Sequence, residues 1–216
     1  MLNITFLKSP HFNTGRKDYL PIAIVIHIME GTLDGTDSWF QDLRAVPPVS
    51  AHFGIGKTGE LHQYVLQADT AWHARIVTSP SWKLIKVLDA DKPTYIDPNL
   101  YTFGIEHEGF EDTDWTDATY QTSSQVIAGL AKKWNIPLDR DHVIGHHEIY
   151  SEKTCPGSKV DIDKLIQMAL QITSPDPLIE PGSGANPAPL PPTGSSAWFE
   201  SAASPHSRWL HGNPDL

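Results

Sequence analysis

Cys155 is the only cysteine in a chain of 216 residues, and it stands in HHEIYSEKTCPG, residues 146–157. His146 and His147 precede it, Lys153 lies two positions before it, and Pro156-Gly157 turns the chain just after it. One thiol cannot form an internal disulfide, so it is free, a metal ligand or a nucleophile. His27 closes the apolar run IAIVIH and emerges from the end of a buried strand; His146 follows the short apolar run VIG in the same way. Two strand-end imidazoles and one thiolate make the three protein ligands of a catalytic zinc that keeps its fourth position for water. Zinc accepts both nitrogen and sulfur and has no redox chemistry to endanger the thiolate. A water on such an ion falls from a pKa of about 15.7 to about 7. A nucleophilic Cys–His pair is the alternative. Cys155 precedes a Pro-Gly turn and does not open a strong helix, so a helix dipole is a less natural source of thiolate activation.

The elements that must hold these groups are legible as alternating strand and helix signals over residues 1–173. IAIVIHI (22–28) is a continuous apolar, β-branched run, as expected of a strand buried on both faces. VSAHFGI (49–55) and ELHQYVL (60–66) flank Gly56-Lys57-Thr58-Gly59 and read as a hairpin. FGIEHEG (103–109) is a strand that turns acidic at its end, and HVIGH (142–146) is the last. Helices are expected over Asp37–Arg44, with Trp39, Phe40 and Leu43 on one face; over Thr116–Trp134, stopped before Pro137; and over VDIDKLIQMALQI (160–172). The pattern predicts an α/β fold, a single domain with a central mixed β-sheet flanked by helices. Residues 75–98 lack periodicity and read as a long surface loop.

Hydrophobic residues make up 39% of the chain, enough for a core, and the net charge of −10 argues against nucleic acid as a partner. No run of about 18 apolar residues predicts a membrane span. The N-terminus has no basic segment leading into an apolar one, so a secretory signal is not expected and synthesis in the cytoplasm is. Composition changes near Ser174: residues 174–196 hold seven of the eighteen prolines and read as an extended Pro/Gly/Ser linker. The last segment, 197–216, carries Trp198, Phe199, Trp209 and Leu210. It is either a disordered tail or a docking peptide, since twenty residues cannot build a core.

IVIHIMEGT, VSAHFGIGKTGELHQYV, AWHA, FGIEHEG and GHHEIYSEKTCPG, in that order, resemble the type-2 class of zinc-dependent N-acetylmuramoyl-L-alanine amidases, relatives of amidase-type phage lysozymes and of peptidoglycan recognition proteins. SPHFNTGR is similar to the lead-in of bacterial and phage members, so the resemblance covers about residues 4–170. It implies hydrolysis of the amide between the lactyl group of N-acetylmuramic acid and L-alanine, in intact peptidoglycan or in soluble muropeptides. The site of action would then be the cell wall, reached as a phage lysin reaches it, or the cytoplasm. It implies one Zn²⁺ per chain on His27, His146 and Cys155; phage-lysozyme spacing would select His147, while direct alignment of HHE selects His146. It places the catalytic carboxylate at Glu106, where the residues alone leave Glu108 on the same strand face as a rival. It makes Lys153 the group that stabilises the oxyanion. By the same resemblance, AWHA is a substrate-side loop, with His73 near the substrate and Trp72 packed behind it. Trp82 is either an aromatic that stacks on sugar or peptide or, as a rim aromatic more commonly is, half-buried packing, and Asn99 either a turn residue or a side chain fixing backbone near the groove. Ala51 stands where many members carry tyrosine. Two readings from other classes remain beside this one: a peptidoglycan-binding module without catalysis, and a cysteine hydrolase using Cys155.

Overall fold

The computed structural model describes residues 2–89, 91–92, 94–175 and 178, all within a unit spanning 1–181. Most of the expected linker and all of the aromatic tail lie outside the described residues. The strands are β1 (Ile4–Phe6), β2 (Phe12–Asn13), β3 (Ala23–Ile26), β4 (Phe53–Ile55), β5 (Leu61–Gln63), β6 (Thr70–Ala71), β7 (Val87–Asp89), β8 (Thr94–Tyr95), β9 (Thr102–His107) and β10 (Val143–Gly145). The helices are α1 (Leu33–Gln41), α2 (Asp117–Trp134) and α3 (Ile162–Leu170). Among the described residues, no helix is long and apolar enough to cross a membrane.

Six strands form the main sheet in the order β1-β5-β4-β9-β3-β10. Only the β4–β5 hairpin is antiparallel; the other pairs are parallel, which makes the sheet mixed. The central strand β3 is buried at all four positions, as its unbroken apolar run requires. Its side chains divide by alternation. Ile24 and Ile26 point to one face, where Phe103 and Ile105 of β9 join Val126, Ile127 and Leu130 of α2 and Leu165 and Ile166 of α3. Ala23 and Val25 point to the other, where Ile144, Trp82, Leu100, Tyr101 and Ile149 cover them. A third cluster seats α1 through Phe40 against Tyr64, Ala51 and Val65.

Helix α2 begins where its cap does: the Thr116 hydroxyl accepts from the Thr119 N–H, and Asn135 closes the other end in the left-handed conformation. α1 departs from expectation. It starts at Leu33, because Thr32 caps it by accepting from the Gly35 N–H, and it stops at Gln41. Of its expected apolar face only Phe40 enters the core; Trp39 is 45% and Leu43 79% exposed. The expected surface loop over 75–98 also needs correction. Its middle packs on the sheet through Trp82, Leu84 and Ile85, and the β7–β8 hairpin follows. Leu178, beyond Ser174, is buried in the main core, and its carbonyl accepts from Gln67 Nε2 at 3.4 Å.

Candidate metal centre and catalytic groups

The register of three parallel strands brings the chemistry together. Gly145 of β10 pairs with Ile26 of β3, and Ile26 pairs with Ile105 of β9. The next residue on each strand is therefore His146, His27 and Glu106, one row at the carboxyl rim of the sheet. That rim is the usual ligand-binding side of parallel sheets. His27 is 2% exposed, and its ring lies 4.5 Å from that of His146. Cys155 arrives from the loop after β10, with Sγ 3.8 Å from His27 Nδ1 and accepting from the Ile28 N–H at 3.1 Å. Candidate ligand atoms of His27, His146 and Cys155 all lie within 4.8 Å of one another. His147 points elsewhere: it is exposed, and its Nδ1 lies 3.0 Å from the Cys155 carbonyl.

Electrostatics favour ligation. Burial, with the neighbouring imidazoles and the Lys153 ammonium adding to it, holds His27 well below the usual histidine range. Burial, Lys153 and His147 bring His146 down to about 4. Both rings are thus neutral and have a lone pair for a metal. Burial and the Glu106 charge push the Cys155 thiol far up. A thiol so disposed is a poor nucleophile on its own and becomes a thiolate only with a cation beside it. The donor set, two nitrogens and a sulfur, fits zinc.

Glu106 Oε1 lies 3.9 Å from His27 Nδ1, and Oε2 is buried with no hydrogen-bond partner among the described residues. Burial raises its pKa to about 8, Lys153 opposing and Glu30 reinforcing the shift. Glu108 is taken up elsewhere, its Oε2 accepting from the Lys57 N–H at 3.0 Å. A cavity of about 300 Å³ is lined by His27, Glu106, His146, Lys153 and Cys155, with Trp72, His73, Ser50, Glu30 and Glu111 around them. Of the last three, Glu111 lies outside the quoted motifs, and Ser50 and Glu30 lie inside them with no role expected of them.

The expected substrate-side residues separate into two groups. Trp72 and His73 line the cavity, and Trp72 is braced by its indole N–H donating to Asn13 Oδ1 at 2.8 Å. Trp82 does not: it is 3% exposed, stacks on Tyr101 and donates to the Asp141 carbonyl, so it is core and cannot meet a sugar. Ala51 is fully buried against Phe40 and Tyr64, facing away from the cavity, because alternation turns Ser50 toward it instead. Asn99 is 1% exposed and acts on backbone: its Oδ1 accepts from the N–H groups of His73 and Ala74 at 3.0 and 2.7 Å. Behind it, buried Arg16 donates to the carbonyls of Gln67, Asn99, Leu100 and Thr102. That clamp is invisible in the sequence apart from its place in SPHFNTGR.

Residues 17–158 match the family described as N-acetylmuramoyl-L-alanine amidase. The chain is 31% identical over 114 residues to N-acetylmuramoyl-L-alanine amidase A of Achromobacter lyticus, a match spanning about half of each protein (51% of both). It is 29% identical over 170 residues to the 1,6-anhydro-N-acetylmuramyl-L-alanine amidase AmpD of Salmonella typhimurium, covering 71% of this chain and 83% of that one. Among solved structures, a selenomethionine AmpD derivative superposes with a TM-score of 0.62 at 26% identity, covering 78% of this chain and 98% of the other.

Proposed function

Since the chain belongs to the N-acetylmuramoyl-L-alanine amidase family, we propose that it hydrolyses the amide joining the lactyl group of N-acetylmuramic acid to L-alanine, in peptidoglycan or its soluble muropeptides. The observation that carries the reading is the row His146–His27–Glu106 on adjacent strands, closed by Cys155. The AmpD relatives add weight to a soluble anhydromuropeptide as substrate.

His27, His146 and Cys155 would hold one zinc ion, which supplies a Lewis acid able to lower the pKa of water to about 7. Glu106 takes the proton of the attacking water and passes it to the nitrogen leaving with L-alanine. Its unpartnered Oε2 is free to do so. The carboxyl, raised by burial, ionises more readily beside the Lys153 ammonium and more again beside a dication. Lys153, on the cavity wall, offsets the negative charge that develops on the carbonyl oxygen, a contribution of about 3 kcal/mol for a donor of this kind.

The test uses the full chain with soluble anhydromuropeptide and with whole sacculi. Removing metal with a chelator should abolish release of the stem peptide, and added Zn²⁺ should restore it. Activity that survives chelation but disappears on alkylation of Cys155 would replace this reading with a cysteine hydrolase. Binding without turnover would leave a recognition module.

A further inference from the structure

We infer that His73 is a positioning residue that fixes the tautomer of His27, through a hydrogen-bond chain ending at the Pro98 carbonyl. The inference rests on the metal-site reading above. The chain is read from its far end, where the donor is unambiguous. Thr102 Oγ1 donates to the Pro98 carbonyl at 2.8 Å, because a carbonyl oxygen can only accept. The Thr102 hydroxyl proton is then committed, so toward His73 Nε2, 3.4 Å away, the hydroxyl can only accept. His73 must therefore carry its proton on Nε2 and leave Nδ1 as an acceptor. That Nδ1 lies 3.1 Å from His27 Nε2, which must in turn be the N–H. What remains of His27 is a lone pair on Nδ1, the atom that faces Cys155 Sγ at 3.8 Å and Glu106 Oε1 at 3.9 Å.

The surroundings keep this chain in register. Asn99 pins the His73 and Ala74 backbone. The His73 ring lies against Gly104 of β9, where a Cβ would come within 2.5 Å of His73 Cγ. The His27 and His73 rings stand at 89° to each other with centroids 5.1 Å apart. The outer partner of a ligating histidine sets which nitrogen binds metal and how firmly.

Three variants and one spectrum test it on the full chain. His73→Phe keeps a ring but removes the acceptor; zinc affinity, read by competition with a chromogenic chelator, should fall about 10- to 100-fold. His73→Asn puts an amide oxygen where Nδ1 stands and should recover much of that loss. Thr102→Val, which keeps the shape and removes the hydroxyl, should weaken zinc binding by less than His73→Phe. Long-range ¹H–¹⁵N spectra of metal-free wild type should show His73 protonated on Nε2. A His73 proton on Nδ1, or zinc bound as tightly by His73→Phe as by wild type, overturns the inference. If His73→Phe does not fold, the spectrum and the asparagine variant decide it. Wild type that binds no zinc sinks the metal-site reading itself, a separate failure.

Discussion

On the proposed reading, Glu106 must be buried enough to hold a proton and charged enough to take one. Burial, against the pull of Lys153 and with Glu30 adding to it, carries its pKa to about 8. Replacing it with glutamine keeps the shape and removes the proton carrier. Zinc content of Glu106→Gln should stay at the wild-type level while kcat falls by about 10²- to 10⁴-fold, the usual span for loss of an acid–base group. Cys155→Ser should behave in the opposite manner. An alcohol is a far weaker zinc ligand than a thiolate, so equilibrium dialysis should show zinc lost together with turnover. At this scale the sequence was informative where a residue followed a strong strand signal or stood in a motif: His27, His146, Cys155 and Glu106 meet as expected. It misled where a large side chain was judged by its neighbours alone. Trp82 sits among residues without periodicity, and only the tertiary contact with Tyr101 reveals it as core.

Among the elements, β9 does three jobs on one face. Alternation turns Thr102, Gly104 and Glu106 the same way, so one strand supplies the threonine link of the hydrogen-bond chain, the floor under His73 and the carboxylate. Gly104→Ala should therefore act at a distance from any ligand. The new methyl must displace the His73 ring, and such overpacking costs about 1–3 kcal/mol. Zinc affinity should drop as in His73→Phe although every named side chain is still present; unchanged affinity would mean the ring has room that the packing denies it. The helices show why boundaries were only partly legible. α2 has a long apolar period and a threonine cap, and expectation and structure agree within one residue. α1 is short and weakly apolar, so its start was set by the Thr32 cap and its end by the turn at Asp42, where the Arg44 N–H is taken by the Asp42 carboxylate.

Among the described residues, the buried His27, His52 and His107 and the partly buried His73 and His146 are all held below the usual histidine range chiefly by burial. For His73 and His107 the folded value is about 3 against 6.5 for the free side chain. Below 6.5 the unfolded chain binds more protons than the folded one, so stability falls as pH falls through that window. Glu106 has the opposite sign: its folded value, about 8, lies above the ordinary 4.5, so its share of stability is lost as pH rises between them. Thermal melts of metal-free protein should peak near neutral pH, dropping steeply on the acid side. Glu106→Gln should flatten the alkaline decline; a melt independent of pH between 4 and 6.5 would contradict the buried neutral histidines. Chain length matters as well, because Leu178 is 4% exposed in the main core. A chain ended at 173 should lose about 1.5–3 kcal/mol in urea denaturation relative to one ended at 181, the worth of one buried leucine.

By itself the sequence determined the kinds of element and the chemistry available to them. Apolar runs ending in histidine, a lone thiol before a Pro-Gly turn and an acidic strand end are local patterns, and local patterns survive without coordinates. The tertiary structure decided which of these groups share a row, which histidine faces inward, and that Asn99 holds the His73 backbone beside His27. Strand register and the burial of a side chain depend on residues far along the chain. No window of neighbours contains them.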